Sequence, residues 1–350
     1  PVVGVLCNFA PEELILAAGA VPLRLDLGHG GCAEAGGGAI GTEVCPTVRA
    51  LAGARAGGLP FHGDVDLLVV PAACDAKKKL VQLLEGETHL MELPVTKDGP
   101  GARERWTEQV WLLARRLERL CGRRIRRRAL RAAVDLLNRR TALYRRLMEL
   151  RWARPGLLSG ADTMLVAQAS FIADPTWWVE HIEALLAELE GATPEQQDAH
   201  AMPLLLSGAP VIFPDFGLLH LLEESGASVV ADETCAGTQR LYNPAVLDEG
   251  SVKGLVRAVA DKALLPCTCP CLVGGEDRIS RVLELYRRSS ARGVVLHTLR
   301  LCQLYELDQR DLAAALKDRG IPTLQVTTDA GGDNAGPLRT RVEAFLEMLG

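Results

Sequence analysis

Two sets of short apolar runs flank one long stretch of helical periodicity. "VVGVL" (2–6), "VPLRL" (21–25) and "DVDLLVV" (64–70) precede it, and "MPLLLSG" (202–208), "ASVVA" (227–231), "GVVLHTL" (293–299) and "IPTLQV" (321–326) follow it. Each run is of strand length and several lead into helical patterns. That alternation predicts an α/β protein with two doubly wound, mainly parallel-sheet domains and an intervening helical segment. The boundaries expected are residues 1–98 for the N-terminal α/β domain, 99–198 for the helical segment and 199–350 for the C-terminal α/β domain. "GATPEQQDAH" (191–200) is polar with a Thr-Pro helix start and reads as the second hinge region. "GHGGCAEAGGGAIG" (28–41) reads as a loop whose glycines match neither a dinucleotide fingerprint nor a P-loop in spacing.

Charge changes the picture of the helical stretch. From Arg115 to Arg154 fifteen Arg stand against Glu118, Asp135 and Glu149, a segment of +12, so the remainder carries −17 to reach the net −5. Apolar residues at helical spacing make this one or two long amphipathic helices with Arg on the wet face. A solvated surface is the simplest reading. No nucleic-acid motif accompanies the run and the acidic remainder opposes such a partner, which leaves an acidic protein as the other candidate for this face.

At 350 residues, 48% hydrophobic and 24% charged, the composition is that of a folded protein of two or three domains. No apolar run approaches bilayer length. Pro1 and "VVGVL" lack the basic flank of a signal peptide, so a cytoplasmic location is expected. Ten cysteines in a reducing compartment point to metal or redox chemistry rather than to a disulfide framework.

Cys7, Cys74, Cys235 and Cys302 each fall just past the carboxyl end of a predicted strand, where doubly wound sheets bind ligands. Cys45 and "PCTCPC" (266–271) lie in loops. Cys7 and Cys74 are 67 residues apart with Cys45 between, as are Cys235 and Cys302 with Cys269 between, which predicts three thiols supplied by each domain. Any one buried cysteine is more often a small core hydrophobe than a ligand. Six at such positions favour a metal centre. Zinc prefers close pairs such as C-x-x-C, which the sequence lacks, whereas iron–sulfur cubanes accept dispersed thiolates. Cys32 and Cys121 fall outside the pattern and read as structural.

The motifs "GVLCNFAPEELILAAGAVPLRL", "EVCPTVRALAG", "VVPAACDAKKKL", "DETCAGTQ", "CPC" followed by Arg278, "GVVLHTLRLCQLY" and "TTDAGGDNAGPLRTRVEAFLEML" resemble the 2-hydroxyacyl-CoA dehydratase and benzoyl-CoA reductase superfamily from end to end. "CDAKKKL" and the second cysteine triplet look most like its double-cubane cluster branch. The resemblance implies two linked [4Fe-4S] cubanes held by Cys7, Cys45, Cys74, Cys235, Cys302 and one thiol of "PCTCPC", with Cys269 the choice counted back from Arg278. A further cysteine expected before the proline of "SGAPVIFPD" is replaced by Ala209.

The activity that the resemblance implies is that of an iron–sulfur reductase component. Its implied partners are an ATP-dependent iron–sulfur reductase as electron donor, a small-molecule substrate and a second copy of the chain in a homodimer, with no membrane or nucleic acid. One alternative is a 2-hydroxyacyl-CoA dehydratase subunit with a single [4Fe-4S] cluster on Cys45, Cys74 and Cys302; another is a non-catalytic electron-storage or cluster-carrier protein. Glu13, Asp75, Lys77 to Lys79 and His297 are the titratable neighbours of the implied ligands. For Glu12 and Glu13 the plainer reading is a pair of first-turn carboxylates after Pro11, and Asp75 with the lysines equally suits the start of a solvated helix.

Overall fold

A computed structural model describes residues 1–84, 86–192, 201–330 and 335–350. The hinge reading of residues 191–200 falls on 193–200, outside the described residues. In chain order the elements are β1 (Val2–Val5), α1 (Glu12–Ala18), β2 (Val21–Arg24), α2 (Gly30–Ile40), α3 (Pro46–Ala56), β3 (Leu67–Pro71), α4 (Asp75–Leu80) and β4 (Thr88–Met91). Four helices follow: α5 (Ala102–Cys121), α6 (Arg127–Ala153), α7 (Gly160–Ala169) and α8 (Pro175–Gly191). The rest comprises β5 (Met202–Gly208), α9 (Gly217–Glu224), β6 (Ala227–Thr234), α10 (Thr238–Leu241), α11 (Val252–Leu264), α12 (Glu276–Arg288), β7 (Gly293–Leu299), α13 (Gln303–Lys317), β8 (Thr323–Thr328) and α14 (Ala335–Leu349).

The strands form two four-stranded sheets, β2-β1-β3-β4 and β6-β5-β7-β8, with every pairing parallel. The α/β reading with two parallel sheets therefore holds. Both sheets share one topology, with the strand order reversing beside their first strand. Parallel strands covered on both faces need near-continuous apolar sequence, and Leu67–Pro71 is buried at every position.

The helices between the sheets are not a body apart. Leu130 and Val134 of α6 lie in the core built on β1, β3, α1 and α5, while Tyr144, Leu147 and Met148 lie in the core against β5, β6 and β7. The 27 residues of α6 thus run through both cores, about 40 Å at 1.5 Å per residue. Leu255, Val256 and Val259 of α11 join the first core, and Trp106 of α5 fixes them by donating its indole N–H to the Ala260 carbonyl at 2.9 Å. The "PCTCPC" loop leaves the end of α11.

Residues 28–41 depart from the loop expectation, because Gly30–Ile40 is helical. Its glycines serve packing. A Cβ on Gly36 would overlap the Arg49 carbonyl oxygen, and one on Gly53 would overlap that of Cys32, so α2 and α3 cross with their backbones in contact.

The Arg-rich face is only partly free. Arg139 pairs with Glu183 at 2.5 Å, Arg146 with Glu190, and Arg288 of α12 with Glu149 at 2.7 Å. Arg151 is buried and donates to the Val229 carbonyl at 3.0 Å and the Val230 carbonyl at 3.3 Å. Among the described residues no helix is long and apolar enough to cross a membrane.

Candidate functional site

The carboxyl edges of both sheets open onto one cavity of about 380 Å³. Cys7 follows β1, Cys74 follows β3, Cys235 follows β6 and Cys302 follows β7, so their side chains reach it from strand ends. Cys45 and Cys269 complete the six thiols expected from the sequence, and Cys267 is a seventh on the wall. All are free. Cys32 and Cys121 do not line the cavity. Cys271 stands behind it, hydrogen-bonded to Cys269.

The thiols group across the two sheets. Cys45, Cys74 and Cys302 are the N-cap residues of α3, α4 and α13, where backbone amides favour a thiolate. The Lys77 amide donates to Cys74 Sγ at 3.4 Å. Cys45 is lowered to about 6, chiefly by a hydrogen bond from Cys302, against burial and with help from the Thr47 amide. The same bond pushes Cys302 up. Cys7, Cys235, Cys267, Cys269 and Cys271 form the second set, linked electrostatically through Cys269. Burial pushes Cys7 and Cys267 up to about 12. Cys269 is lowered by the Cys271 hydrogen bond.

Cys7, Cys45 and Cys74 come from the first sheet's part of the chain and Cys235, Cys269 and Cys302 from the second's, but the two sets do not follow that division. In the shared topology β1 corresponds to β5, β2 to β6 and β3 to β7. Cys74 and Cys302 therefore occupy equivalent places, but Cys7 follows β1 whereas Cys235 follows β6. The equal 67-residue intervals do not mark equivalent positions. Because the carboxyl edges share one cavity, the closest thiol partner of Cys45 comes from the other sheet.

Buried cations separate the two sets. Lys77 Nζ donates to Asp26 at 2.7 Å and to the Leu6 carbonyl at 2.6 Å. Arg24 binds Asp26 at 2.8 Å, the Asn8 side chain, and the Cys235 carbonyl at 2.9 Å, with Cys235 Sγ at 3.9 Å. Burial opposes the charge on Lys77, but Asp26 and the neighbouring thiols Cys7 and Cys74 outweigh it and raise its pKa. Asp26 is lowered in turn, since Lys77 and Arg24 overcome its burial. Near Cys269, Arg278 bridges Glu233 and Asp308 and stacks 5.0 Å from the Tyr305 ring.

Beyond the thiols the cavity has a polar lobe. Glu12 is shared by Arg140, at 2.6 Å, and Arg240; Glu13 pairs with Lys262 at 2.8 Å. Burial opposes ionisation of Glu12, but the two guanidiniums hold it at about 2. Glu12 and Glu13 are thus buried ion-pair members as well as first-turn carboxylates. Of the other titratable neighbours, only Lys77 points inward among the three lysines: Lys78 and Lys79 are turned outward, and the Asp75 side chain is 92% exposed. His297 lines a second crevice, with its ring hydrogen-bonded to Ala209 and Thr328, and burial lowers it to about 4.

The sequence motifs include Arg24 and Tyr305 but give no role to Arg24, Asp26, Arg140, Arg240 or Tyr305. Arg24 and Asp26 lie two apart where β2 ends, so both side chains share a face, and "RLD" after an apolar run is the one signal available for them.

The donor set suits an iron–sulfur centre: soft thiolates, buried cations to balance charge, and helix N-termini at one set. No group of three His, Cys, Asp or Glu among the described residues is gathered tightly enough for a single ion. Cubane thiolates bind different irons and do not need that closeness.

Comparison with known proteins gives one family. A family model described as 2-hydroxyglutaryl-CoA dehydratase, D-component, matches residues 7–349. The chain is 28% identical to "Putative dehydratase subunit YjiM" of Escherichia coli (strain K12), over 100% of this chain and 91% of that protein. It is 24% identical to the beta subunit of (R)-2-hydroxyglutaryl-CoA dehydratase of Acidaminococcus fermentans, over 99% and 92% of the two chains. Identity to a benzoyl-CoA reductase subunit of Thauera aromatica is also 24%, over 97% and 89%.

Proposed function

Because the chain belongs to the 2-hydroxyglutaryl-CoA dehydratase D-component family, we propose that it is an enzyme component of that dehydratase and reductase kind, acting as the iron–sulfur subunit of a small-molecule reductase. The observation that carries this reading is seven free thiols on one cavity in two sets. Cys45, Cys74 and Cys302 would hold one [4Fe-4S] cubane, and Cys7, Cys235 and Cys269 the other. When bound, linked cubanes supply stored low-potential electrons.

The chain's own residues supply the setting. Arg24 and Lys77 balance the negative charge of the thiolates, and Asp26 holds both cations in place. Val5, Phe9, Ala10 and Val48 give the cavity an apolar wall that limits water. A cluster stores electrons and does not generate them, so a separate donor is required. The proposed donor is an ATP-dependent iron–sulfur reductase. The relatives are named as subunits, which supports assembly with a second copy of this chain or a sister subunit.

A second reading is a dehydratase subunit with one cubane on Cys45, Cys74 and Cys302, favoured by the N-cap positions of those three thiols. Anaerobic isolation with iron and acid-labile sulfide counted per chain separates the two. Two four-iron units give about eight irons. A count near four selects the dehydratase reading, and zinc without sulfide refutes both.

A further inference from the structure

The polar lobe of the cavity carries more positive charge and more hydrogen-bond donors than its own acids satisfy. Arg140 and Arg240 are 2% and 8% exposed, and both spend an Nη2 on the single carboxylate of Glu12. Each keeps a further N–H, on Nε of Arg140 and Nη1 of Arg240, buried with no partner. Tyr305 Oη, also without a partner, lies elsewhere on the cavity beside Cys235, Cys269 and Arg278 and takes no part in this lobe. The two guanidinium atoms can only donate, so the lobe asks for an acceptor. An acceptor with negative charge fits better than a neutral one. Two guanidiniums share one carboxylate, and with Lys262 and Glu13 counted the lobe holds three cations against two anions. Burial disfavours the charge on Arg240 even with Glu12 beside it. The planar fork of an arginine matches a carboxylate.

We propose that this lobe binds the carboxylate of a small substrate, with Arg140 and Arg240 as its anchors, in the same cavity as the thiols. The assignment deepens the reductase reading and rests on it for the word substrate; the binding site itself rests on the donors. Size sets a limit. A cavity of about 380 Å³ lies near the lower end of the roughly 300–1,000 Å³ of ligand pockets. It has to accommodate whatever the thiols hold as well, which leaves room for a molecule of a few heavy atoms.

The test titrates acetate into the anaerobically isolated protein at fixed ionic strength, with acetamide as the uncharged isostere and chloride as the plain anion. Calorimetry and the thermal midpoint give the readouts. The expected result is saturable binding of acetate that raises the midpoint, with acetamide and chloride weaker by about tenfold or more, since hydrogen bonds to charged groups are the stronger kind. Arg240→Gln should weaken acetate about tenfold, and Arg240→Lys, which keeps the cation for Glu12 but loses the fork, by several-fold. No saturable acetate binding, or equal binding of acetate and acetamide, overturns the proposal. So does unchanged acetate affinity in Arg240→Lys, the variant that carries the test should Arg240→Gln not fold. Acetate binding in a preparation without iron supports the lobe while refuting the cluster reading, and an eight-iron preparation that ignores acetate does the reverse.

Discussion

Glu12→Gln isolates the ion triad that joins α1, α6 and α10. The carboxylate is held at about 2 rather than 4.5, a difference of about 3 kcal/mol at neutral pH. Its folded-state pKa is depressed, so the contribution is complete above the unfolded value and is lost as pH falls from 4.5 through about 2. Stability of this triad comes with a cost already incurred, because two arginines are buried with it. Removing their shared partner leaves both unpaired, and a broken buried pair costs about 3–5 kcal/mol. For a 350-residue chain a loss of about 3 kcal/mol lowers the thermal midpoint by about 4 °C. The assay compares midpoints of the parent and Glu12→Gln at pH 7, 5, 4 and 3.5. The gap should be constant from pH 7 to 5 and shrink below 4.5, to the equivalent of about 2 kcal/mol at pH 3.5. A gap of the same size at pH 7 and 3.5 would show that Glu12 acts by packing alone, and no gap at all would mean that the triad does not form.

Cys45→Ala and Cys302→Ala should alter the same spectroscopic half of the reduced centre, and Cys235→Ala and Cys269→Ala the other half. If Cys45→Ala instead matches Cys7→Ala in its electron paramagnetic resonance spectrum, the cross-sheet grouping is wrong. Cys32→Ala and Cys121→Ala should leave the iron count unchanged, because neither thiol lines the cavity. Gly36→Ala should cost about 1–3 kcal/mol in chemical denaturation by forcing α2 off α3, whereas Gly38→Ala, with nothing within 4 Å, should be neutral or stabilising.

The strands were legible where burial on both faces makes the sequence apolar throughout, as in Leu67–Pro71. Thr88–Met91 is an edge strand with Thr88, His89 and Leu90 only partly covered or exposed, so its pattern is weak and no strand is expected there. Gly30–Ile40 escaped for a different reason. Helix propensity argues against a glycine-rich segment, while the reward for those glycines is contact with a helix that local reading cannot place. The strand-end cysteines announced the cavity because topology puts strand ends together. Their grouping depends on which sheet edge faces which, and a sequence interval carries no information about that. Arg140 and Arg240 were hidden for a similar reason, since one arginine among many looks like its neighbours until the fold turns it inward.

The continuity of α6 bears on how anything enters the cavity. A helix with its first half set in one core and its second half in the other works as a beam clamped at both ends. Swinging the two sheets apart would require bending that beam or tearing one half from its seat, and each costs a run of buried leucines. The stretch from Pro266 to Pro270 is no looser, since Cys267 belongs to the first core and its amide donates to Asp277 at 2.8 Å. Whatever enters the cavity therefore does so without the two sheets parting, and a clamp across the sheets should leave the rate of loading unchanged.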